Sequence, residues 1–231
     1  TCTDENFVQK ACPQRAAAQH GVAILAPDTS PRGEAVPDDP DGGWDFGLGA
    51  GFYVNATQEP WKSHYCMYDY VLHELPARVL QGHPLSEDRQ AIFGHSMGGH
   101  GAITLALRDP QRFRSVSAFA PICAPTRCPW GEKAFTGYLG PDRTLWAEYD
   151  SCELIRHTDR LLPLLVDQGT ADGFLEEQLR TPLLEEACLE RGFPATIRMQ
   201  DGYDHSYFFI ASFIDEHIAF HAEHCGLGTG A

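Results

Sequence analysis

The feature that most constrains the fold of this 231-residue chain is residues 94–98, with the sequence GHSMG. An apolar run at 91–93 precedes this segment, and a run typical of a helix follows it at 102–107. The pattern G-x-S-x-G between a strand and a helix is typical of a nucleophile elbow, a turn so sharp that a Cβ on either flanking glycine is expected to collide with neighbouring backbone. The sequence therefore predicts a strand, a turn and a helix, with the hydroxyl of Ser96 exposed at the turn as a nucleophile.

The rest of the chain alternates between apolar runs and helical periodicity. Continuous apolar runs indicate strands that are buried on both faces, and their alternation with helices predicts an α/β fold: a mostly parallel sheet with helices on both faces. Functional groups are then expected at the carboxyl ends of the strands. The predicted strands are 22–26, 91–93, 115–120, 161–166 and 195–199, and the predicted helices are 8–19, 65–80, 99–108, 174–191 and 206–224.

Residues 1–231 are predicted to form a single α/β-hydrolase domain, the size of which suits one core. The segment 29–61 has turn chemistry throughout and is expected to be an ordered loop, because it is rich in aromatic residues. The segment 121–160 is rich in proline and tryptophan, has short helical stretches at 130–139 and 145–149, and resembles a cap inserted above the sheet. The glycine-rich end, 226–231, is expected to be a frayed tail.

Composition limits the possible partners. The chain has 17 basic and 32 acidic residues, and its net charge of −15 argues against binding to nucleic acid or to anionic membranes. No apolar stretch approaches the roughly 18 residues of a membrane span, and the first residues lack the features of a signal peptide, so a cytoplasmic protein is expected. Eight scattered cysteines without a C-x-x-C pair predict free thiols, with no metal site and no cofactor.

A serine nucleophile needs a histidine to take its proton and a carboxylate to orient that histidine. In elbow enzymes the acid and then the histidine follow the serine in the chain. His205 has the expected position, in a polar turn between the last predicted strand and the last helix. Three other histidines lie along that helix, where we expect a solvated surface rather than a metal-binding face: His217, His221 and His224.

The carboxylate is predicted to be Asp172, in the loop that follows the strand ending near Val166. Asp167 is closer to the strand end, where a carboxylate that braces the loop through backbone N–H groups is the alternative reading. Asp204, beside the histidine, is the other competitor. One oxyanion-hole donor is expected to be the backbone N–H of Met97, the residue after the nucleophile.

Longer motifs are spread along the chain from residue 1 to about 221. They are APDTSPRG at 26–33, GAGFYVNAT at 49–57, PW at 60–61, MYDY at 67–70, GHSMGGHG at 94–101, PWG at 129–131, DQGTAD at 167–172 and GYDHSY at 202–207. With these motifs the sequence resembles the S-formylglutathione hydrolases, the esterase D family of α/β-hydrolases. That resemblance implies a thioesterase that hydrolyses S-formylglutathione to formate and glutathione in formaldehyde detoxification, as a homodimer, with Ser96, Asp172 and His205 as its triad.

The resemblance also has limits at the start of the chain. Residues 1–3 look like the end of the family's SGLTCT segment, the leucine region of which supplies the second oxyanion N–H, so about fifty family residues with the first strands are expected to be missing. Cys2 matches a cysteine near the family's active site whose modification can block activity, although an ordinary free thiol is an equal alternative. Gly173 replaces what is often a second acid in the family, which is expected to loosen the loop.

Substrate contacts are predicted less sharply. Trp61 and Trp130 are candidates for the wall of the acyl pocket or for the glutathione groove, and core or cap packing is an equal alternative for both. Because glutathione is anionic, a local basic patch is expected, with Arg32, Lys62 and Lys133 as candidates. Two other functions stay open: a broader short-chain carboxylesterase with the same triad, and a non-catalytic α/β scaffold.

Overall fold

The computed structural model describes residues 2–227 of the chain. Its sheet has four strands in the order β1-β2-β3-β4, and every neighbouring pair is parallel. The predicted α/β architecture with a parallel sheet is therefore confirmed. The strands are β1 Gln90–His95, β2 Phe113–Phe119, β3 Leu164–Gly169 and β4 Ala195–Gln200.

Helices and helical turns fill the intervals between the strands and account for most of the remaining regular structure. Among them, helix α5 follows the first strand and is almost wholly buried, and the long helix α10 packs against β2 and β3. The helices are α1 Asp4–Lys10, α2 Gln14–His20, α3 Met67–Asp69, α4 Leu75–Gly82, α5 Met97–Arg108, α6 Pro129–Leu139, α7 Arg143–Trp146, α8 Ser151–His157, α9 Thr181–Arg191 and α10 Tyr207–His224.

The predicted elbow is present between β1 and α5. Ser96 stands alone between them with φ +56° and ψ −117°, a strained conformation for a residue with a side chain. A Cβ on Gly94 would overlap the carbonyl of Gly98, so the first glycine is required by the turn. The sequence also predicts a collision for a Cβ on Gly98. That prediction is wrong, because a Cβ there would meet nothing closer than the Tyr53 hydroxyl at 3.7 Å.

Gly94→Ala is expected to destabilise the protein by about 3 kcal/mol or more, because backbone atoms of the elbow must move to accept the Cβ. Gly173→Ala is the matched control. A Cβ on Gly173 meets no atom within 4 Å, and its φ is not in the left-handed region, so alanine there is expected to stabilise by roughly 0.5 kcal/mol. Thermal melting of both variants measures the contrast, and a Gly94→Ala protein as stable as the wild type would contradict the elbow geometry.

The predicted strand at 22–26 is wrong. The segment has no hydrogen-bonded strand partner in residues 2–227, and its side chains alternate between half-buried and exposed. Leu25 is 50% exposed, which is incompatible with a strand buried on both faces. The apolar run reflects one covered face, and this segment and β1 line the same cavity.

Two predicted helices, at 8–19 and 174–191, are each divided in the structure, and one helix was not predicted. The helix at 8–19 is two helices, because Pro13 cannot donate its backbone nitrogen and Cys12 adopts a positive φ before it. The helix at 174–191 is a π-helical turn followed by α9, with Arg180 in the left-handed region between them. Helix α8 was missed altogether; Asp150 caps it through the N–H groups of Cys152 and Glu153.

Candidate active site

The main cavity has a volume of about 1130 Å³ and lies beside the elbow. Ser96 and Met97 reach it from the turn after β1, and His205 reaches it from the loop after β4. Cys2 and Trp130 also line this cavity. Residues that are far apart in the sequence therefore meet at the carboxyl ends of the strands, as parallel sheets dictate.

The side chains of Asp172 and His205 form a short hydrogen bond. The distance from Asp172 Oδ2 to His205 Nδ1 is 2.6 Å, and the carboxylate is fully buried. Two further donors hold the carboxylate in place: the backbone N–H of Phe174 at 2.9 Å from Oδ1, and the amide of Gln168 at 3.3 Å from Oδ2. The histidine is thus oriented through Nδ1, which leaves Nε2 free to accept a proton.

The loop of the carboxylate and the loop of the histidine are fastened to each other through the backbone. Ala171 N–H donates to the carbonyl of Tyr203 at 2.9 Å, and Thr170 N–H donates to the carbonyl of Gln200 at 3.0 Å. Gly169 permits this approach, because a Cβ there would overlap the Tyr203 carbonyl. The spacing between acid and base therefore rests on two parallel strand ends rather than on two independent loops.

Aromatic rings hold the imidazole of His205 from two sides. The His95 ring lies at 4.4 Å between centroids, and the Phe174 ring meets the imidazole edge-on at 5.1 Å. Burial, together with repulsion from His205, lowers the pKa of His95 well below its usual value. His95 is therefore neutral at pH 7, so a proton taken up by His205 does not face a second cation in the site.

The two competing carboxylates do not touch His205. Asp167 is buried and accepts hydrogen bonds from Arg198, Gln200 and His217, all through side chains, so the predicted bracing of backbone N–H groups is not found. Burial opposes its ionisation, but these donors outweigh burial and hold the pKa of Asp167 at about 2. Asp204 Oδ1 accepts a hydrogen bond from the backbone N–H of Ser206 at 3.0 Å, and in residues 2–227 no hydrogen bond joins its carboxylate to His205.

The predicted solvated face of the last helix is wrong for two of its three histidines. His217 and His221 are buried and bond to both serines of β2: His217 Nδ1 to Ser117 Oγ, and His221 to Ser117 Oγ and Ser115 Oγ, each at 2.8 Å. Helix α10 packs against β2 and β3, which places its one-turn-spaced histidines over the sheet. Helical periodicity alone could not reveal this, because the partners are serines on another element.

Acid is expected to destabilise the fold through its buried neutral histidines. Burial lowers the pKa of His221 from 6.5 to about 3 and that of His100 to about 4. The unfolded chain takes up protons on these histidines below pH 6.5, whereas the folded chain does not until about pH 3 to 4. The free energy of unfolding therefore decreases as the pH is lowered through this window. Each histidine contributes a slope of about 1.4 kcal/mol per pH unit.

Guanidinium unfolding between pH 7.5 and 4.5 measures that slope. His221→Gln is expected to reduce it, because one proton-binding group disappears from the unfolded chain. His157→Gln, at an exposed site on α8, is the control and should keep the wild-type slope. A stability that does not change between pH 6.5 and 4.5 would contradict the burial of these histidines as neutral groups.

An aromatic wall leads from the surface to His205. Trp44, 58% exposed, meets Trp130 edge-on at 5.3 Å, and Trp130 meets Phe174 at 4.8 Å. All three rings line the cavity. Trp61 does not: it is 6% exposed and packs in a separate aromatic cluster with Phe46, Tyr65 and Tyr138. Of the two tryptophans predicted to contact substrate, the structure places Trp130 in the cavity and Trp61 in the core.

The predicted basic patch is also placed elsewhere. Arg32 pairs with Asp28 at 2.6 Å, Lys62 with Glu59 at 2.7 Å and Lys133 with Asp45 at 2.6 Å, and these three cations lie outside the cavity lining. The cations that line it are Lys10 and Arg89. Lys10 was missed because nothing in the sequence places helix α1 beside the elbow. Arg89 directly precedes β1, so it lies at the amino end of that strand and not at the carboxyl end where Ser96 follows. The eight cysteines are all unpaired, as predicted.

Comparison with known proteins places this geometry in a family. The family model described as "Putative esterase" matches residues 1–220. A mouse (Mus musculus) S-formylglutathione hydrolase is 52% identical over 97% of this chain and 80% of its own length, and the rat (Rattus norvegicus) protein of the same name is 51% identical over the same shares. The chain belongs to the esterase family of S-formylglutathione hydrolases. It is a serine hydrolase with the α/β-hydrolase fold.

Solved structures agree with this membership. The S-formylglutathione hydrolase from Agrobacterium tumefaciens is 51% identical, superposes with a TM-score of 0.95, and is matched over 99% of this chain and 81% of that one. FphF, a serine hydrolase from Staphylococcus aureus, has the same fold with a TM-score of 0.74 at 19% identity, over 96% and 80% of the two chains. In residues 2–227, no helix has the length and hydropathy needed to cross a membrane.

Proposed function

We propose that this chain hydrolyses S-formylglutathione to formate and glutathione, with Ser96 as nucleophile, His205 as general base and acid, and Asp172 as the orienting carboxylate. The observation that carries the proposal is the 2.6 Å hydrogen bond between Asp172 and His205 in the cavity that Ser96 lines. The names of the relatives at 51% and 52% identity supply the substrate.

Acylation begins when Ser96 Oγ attacks the formyl carbon and passes its proton to Nε2 of His205. The carbonyl oxygen becomes an oxyanion next to the backbone N–H of Met97, the first residue of α5, where the positive end of the helix dipole lies. Asp172 stabilises the imidazolium through Nδ1. The C–S bond then breaks, and the glutathione thiolate takes the proton from His205.

Deacylation repeats these roles with water. His205 Nε2 takes a proton from the water molecule, the hydroxide attacks the formyl ester, and the proton returns to Ser96 Oγ as formate leaves. An anionic thiol product suits the cavity better than the overall charge of −15 suggests, because Lys10 lines the cavity, with its Nζ 5.4 Å from the centroid of the Tyr207 ring. The wall of Trp44 and Trp130 offers an apolar surface to the glutathione arm.

The substrate is tested by comparing kcat/KM for S-formylglutathione, S-lactoylglutathione and a short aryl ester. We expect S-formylglutathione to exceed the other two by at least an order of magnitude. The aryl ester lacks the glutathione arm, whose contacts lower the transition-state energy, and the lactoyl carbonyl is more hindered than the formyl carbonyl, which carries only hydrogen. A preference for the aryl ester over both thioesters would favour the broader carboxylesterase. The carboxylesterase is the second candidate because a serine at the elbow and the Asp172–His205 pair serve an ester as well as a thioester.

A fluorophosphonate probe separates both enzymes from a non-catalytic scaffold. The probe is expected to label wild-type protein at Ser96, since Ser96 stands at the elbow and His205 lines the same cavity. Absence of labelling in folded protein would favour the scaffold.

We also propose that 121–160 acts as a cap over a single hydrolase domain, and that the protein works as a cytoplasmic homodimer. Helix α6 supports the cap, since its Trp130 packs against Phe174 and both rings line the cavity. The homodimer and the cytoplasmic location are proposed from the resemblance to the family. Light scattering of the purified protein tests the homodimer, and cell fractionation tests the location.

A further inference from the structure

The dipeptide Phe52–Tyr53 is held in an unfavourable conformation beside the elbow. Both residues have positive φ, +49° and +55°, a region that side chains with a Cβ rarely adopt. Two consecutive residues of this kind persist only where surrounding contacts hold them, and such strain clusters at functional sites. Phe52 is 2% exposed and Tyr53 9% exposed, so the strained pair is part of the packed interior rather than a surface turn.

The contacts that hold this dipeptide come from the first two turns of α5. Nε2 of His100 lies 3.0 Å from the carbonyl oxygen of Phe52. His100 is buried, and burial lowers its pKa to about 4, so at pH 7 the ring is neutral and its one proton sits on Nε2 to meet that oxygen. A Cβ on Gly101 would overlap the Tyr53 ring, so a glycine is required where this ring packs.

The hydroxyl of Tyr53 differs from those of the other buried tyrosines. Tyr65 donates to the carbonyl of Pro37 at 2.7 Å, Tyr138 donates to that of Ala50 at 2.9 Å, and Tyr149 accepts from the backbone N–H of Asn55 at 3.3 Å. The Tyr53 hydroxyl has no such partner in the part of the chain that the structure describes. Tyr53 lines the cavity, so a molecule bound in the cavity can supply the partner of this hydroxyl.

The place of this hydroxyl identifies the partner. Tyr53 lines the same cavity as Ser96, Met97 and Gly98, and its hydroxyl lies 3.7 Å from the position of a Cβ on Gly98. It therefore stands next to the first turn of α5, where the carbonyl oxygen of an acyl group on Ser96 faces the Met97 N–H. Burial also raises the pKa of Tyr53 well above its usual value, so the hydroxyl keeps its proton and remains a donor.

We propose that the Tyr53 hydroxyl donates a hydrogen bond to the carbonyl oxygen of the acyl group, in addition to the backbone donors of the oxyanion hole, and that His100 is the positioning residue that holds it there. The inference rests on the proposed acyl transfer to Ser96. It gives the strained dipeptide, the glycine at 101 and the buried neutral histidine at 100 one common purpose.

Tyr53→Phe tests the proposal directly, because it removes the hydroxyl and keeps the ring against Gly101. We expect kcat to fall on the order of 10²-fold with KM little changed, since an oxyanion donor acts in the transition state. The loss should be the same for aryl esters with good and with poor leaving groups. An unchanged kcat, or a rise in KM alone, would overturn the proposal, and a loss confined to poor leaving groups would assign the hydroxyl to the leaving group instead.

Tyr149→Phe is the matched control. It removes a hydroxyl that has a protein partner outside the cavity, so it is expected to lower the melting temperature and keep kcat. Tyr53→Phe, in contrast, is expected to lower kcat and to keep the melting temperature. If the wild type cleaves aryl esters but not S-formylglutathione, the proposed substrate fails while the role of Tyr53 is still measured on the aryl esters.

A double-mutant cycle tests the positioning role of His100. His100→Ala alone is expected to lower kcat by a factor similar to that of Tyr53→Phe, and in the Tyr53→Phe protein it should lower kcat little further. If His100 acted only by stabilising the fold, the two losses in kcat would multiply. That result would remove His100 from the proposal and leave the direct test of Tyr53 intact.

Discussion

Replacing Ser96 with alanine is expected to reduce turnover of S-formylglutathione by about 10⁶-fold, because acyl transfer loses its nucleophile while the remaining groups cannot act without it. Ser96 is not expected to stabilise the fold through its side chain. Its backbone makes the hydrogen bonds of the turn, from Ser96 N–H to Phe119 O at 2.9 Å and from His100 N–H to Ser96 O at 3.0 Å, and these do not involve the side chain. The variant should therefore remain folded.

The measurement is single-turnover and steady-state kinetics on S-formylglutathione, together with fluorophosphonate labelling. Ser206→Ala is a suitable control, since it removes another hydroxyl near the histidine loop without touching the elbow. We expect the control to keep turnover within a few-fold and to be labelled, while Ser96→Ala is not labelled. Labelling of Ser96→Ala at another serine would contradict the assignment of the nucleophile.

The elements closest to the elbow could be predicted from the sequence because their local signals agree with each other. The apolar run before Gly94, the turn glycine itself and the helix former after it all favour the same unit, and β1 and α5 lie there. His205 could be found for a similar reason. It follows a strand and precedes a helix, and only the carboxyl edge of a parallel sheet gathers such loops at one place.

Contacts between side chains on separate elements could not be predicted in this way. The periodicity of α10 says which residues share a face, but not that Ser115 and Ser117 on β2 turn that face into a buried hydrogen-bonded network. The strand predicted at 22–26 failed for a related reason, since apolar composition does not reveal whether a partner strand lies beside it. The cavity cation Lys10 was missed because its distance from the elbow in sequence gives no signal.

Tyr53 is the clearest example of information that appears only in three dimensions. In the sequence it is one aromatic residue of a glycine-rich loop. Its positive φ, the glycine opposite its ring and the position of its hydroxyl beside Gly98 are visible only once α5 and the loop are packed together. Local rules fail at this dipeptide, and such failures are expected at functional sites.

Asp172→Asn is expected to lower kcat by about 10⁴-fold with the fold intact, because it forces His205 into the wrong tautomer. The backbone N–H of Phe174 donates to Oδ1 of Asp172 at 2.9 Å and can accept nothing in return. An asparagine must therefore turn its oxygen toward Phe174 and its NH₂ group toward His205. Nδ1 then has to accept a hydrogen bond, the proton moves to Nε2, and Nε2 can no longer take the proton of Ser96.

Two neighbouring carboxylates provide the controls for this prediction. Asp204→Asn should leave turnover within about twofold, because asparagine also caps the backbone N–H that Asp204 accepts. Asp167→Asn should act on stability instead, since Asp167 is buried against Arg198 and His217 and does not contact His205. Near-wild-type turnover in Asp172→Asn would transfer the orienting role to one of these two. A loss specific to Asp172→Asn, with an unchanged melting temperature, would tie the activity to the 2.6 Å bond between Asp172 and His205.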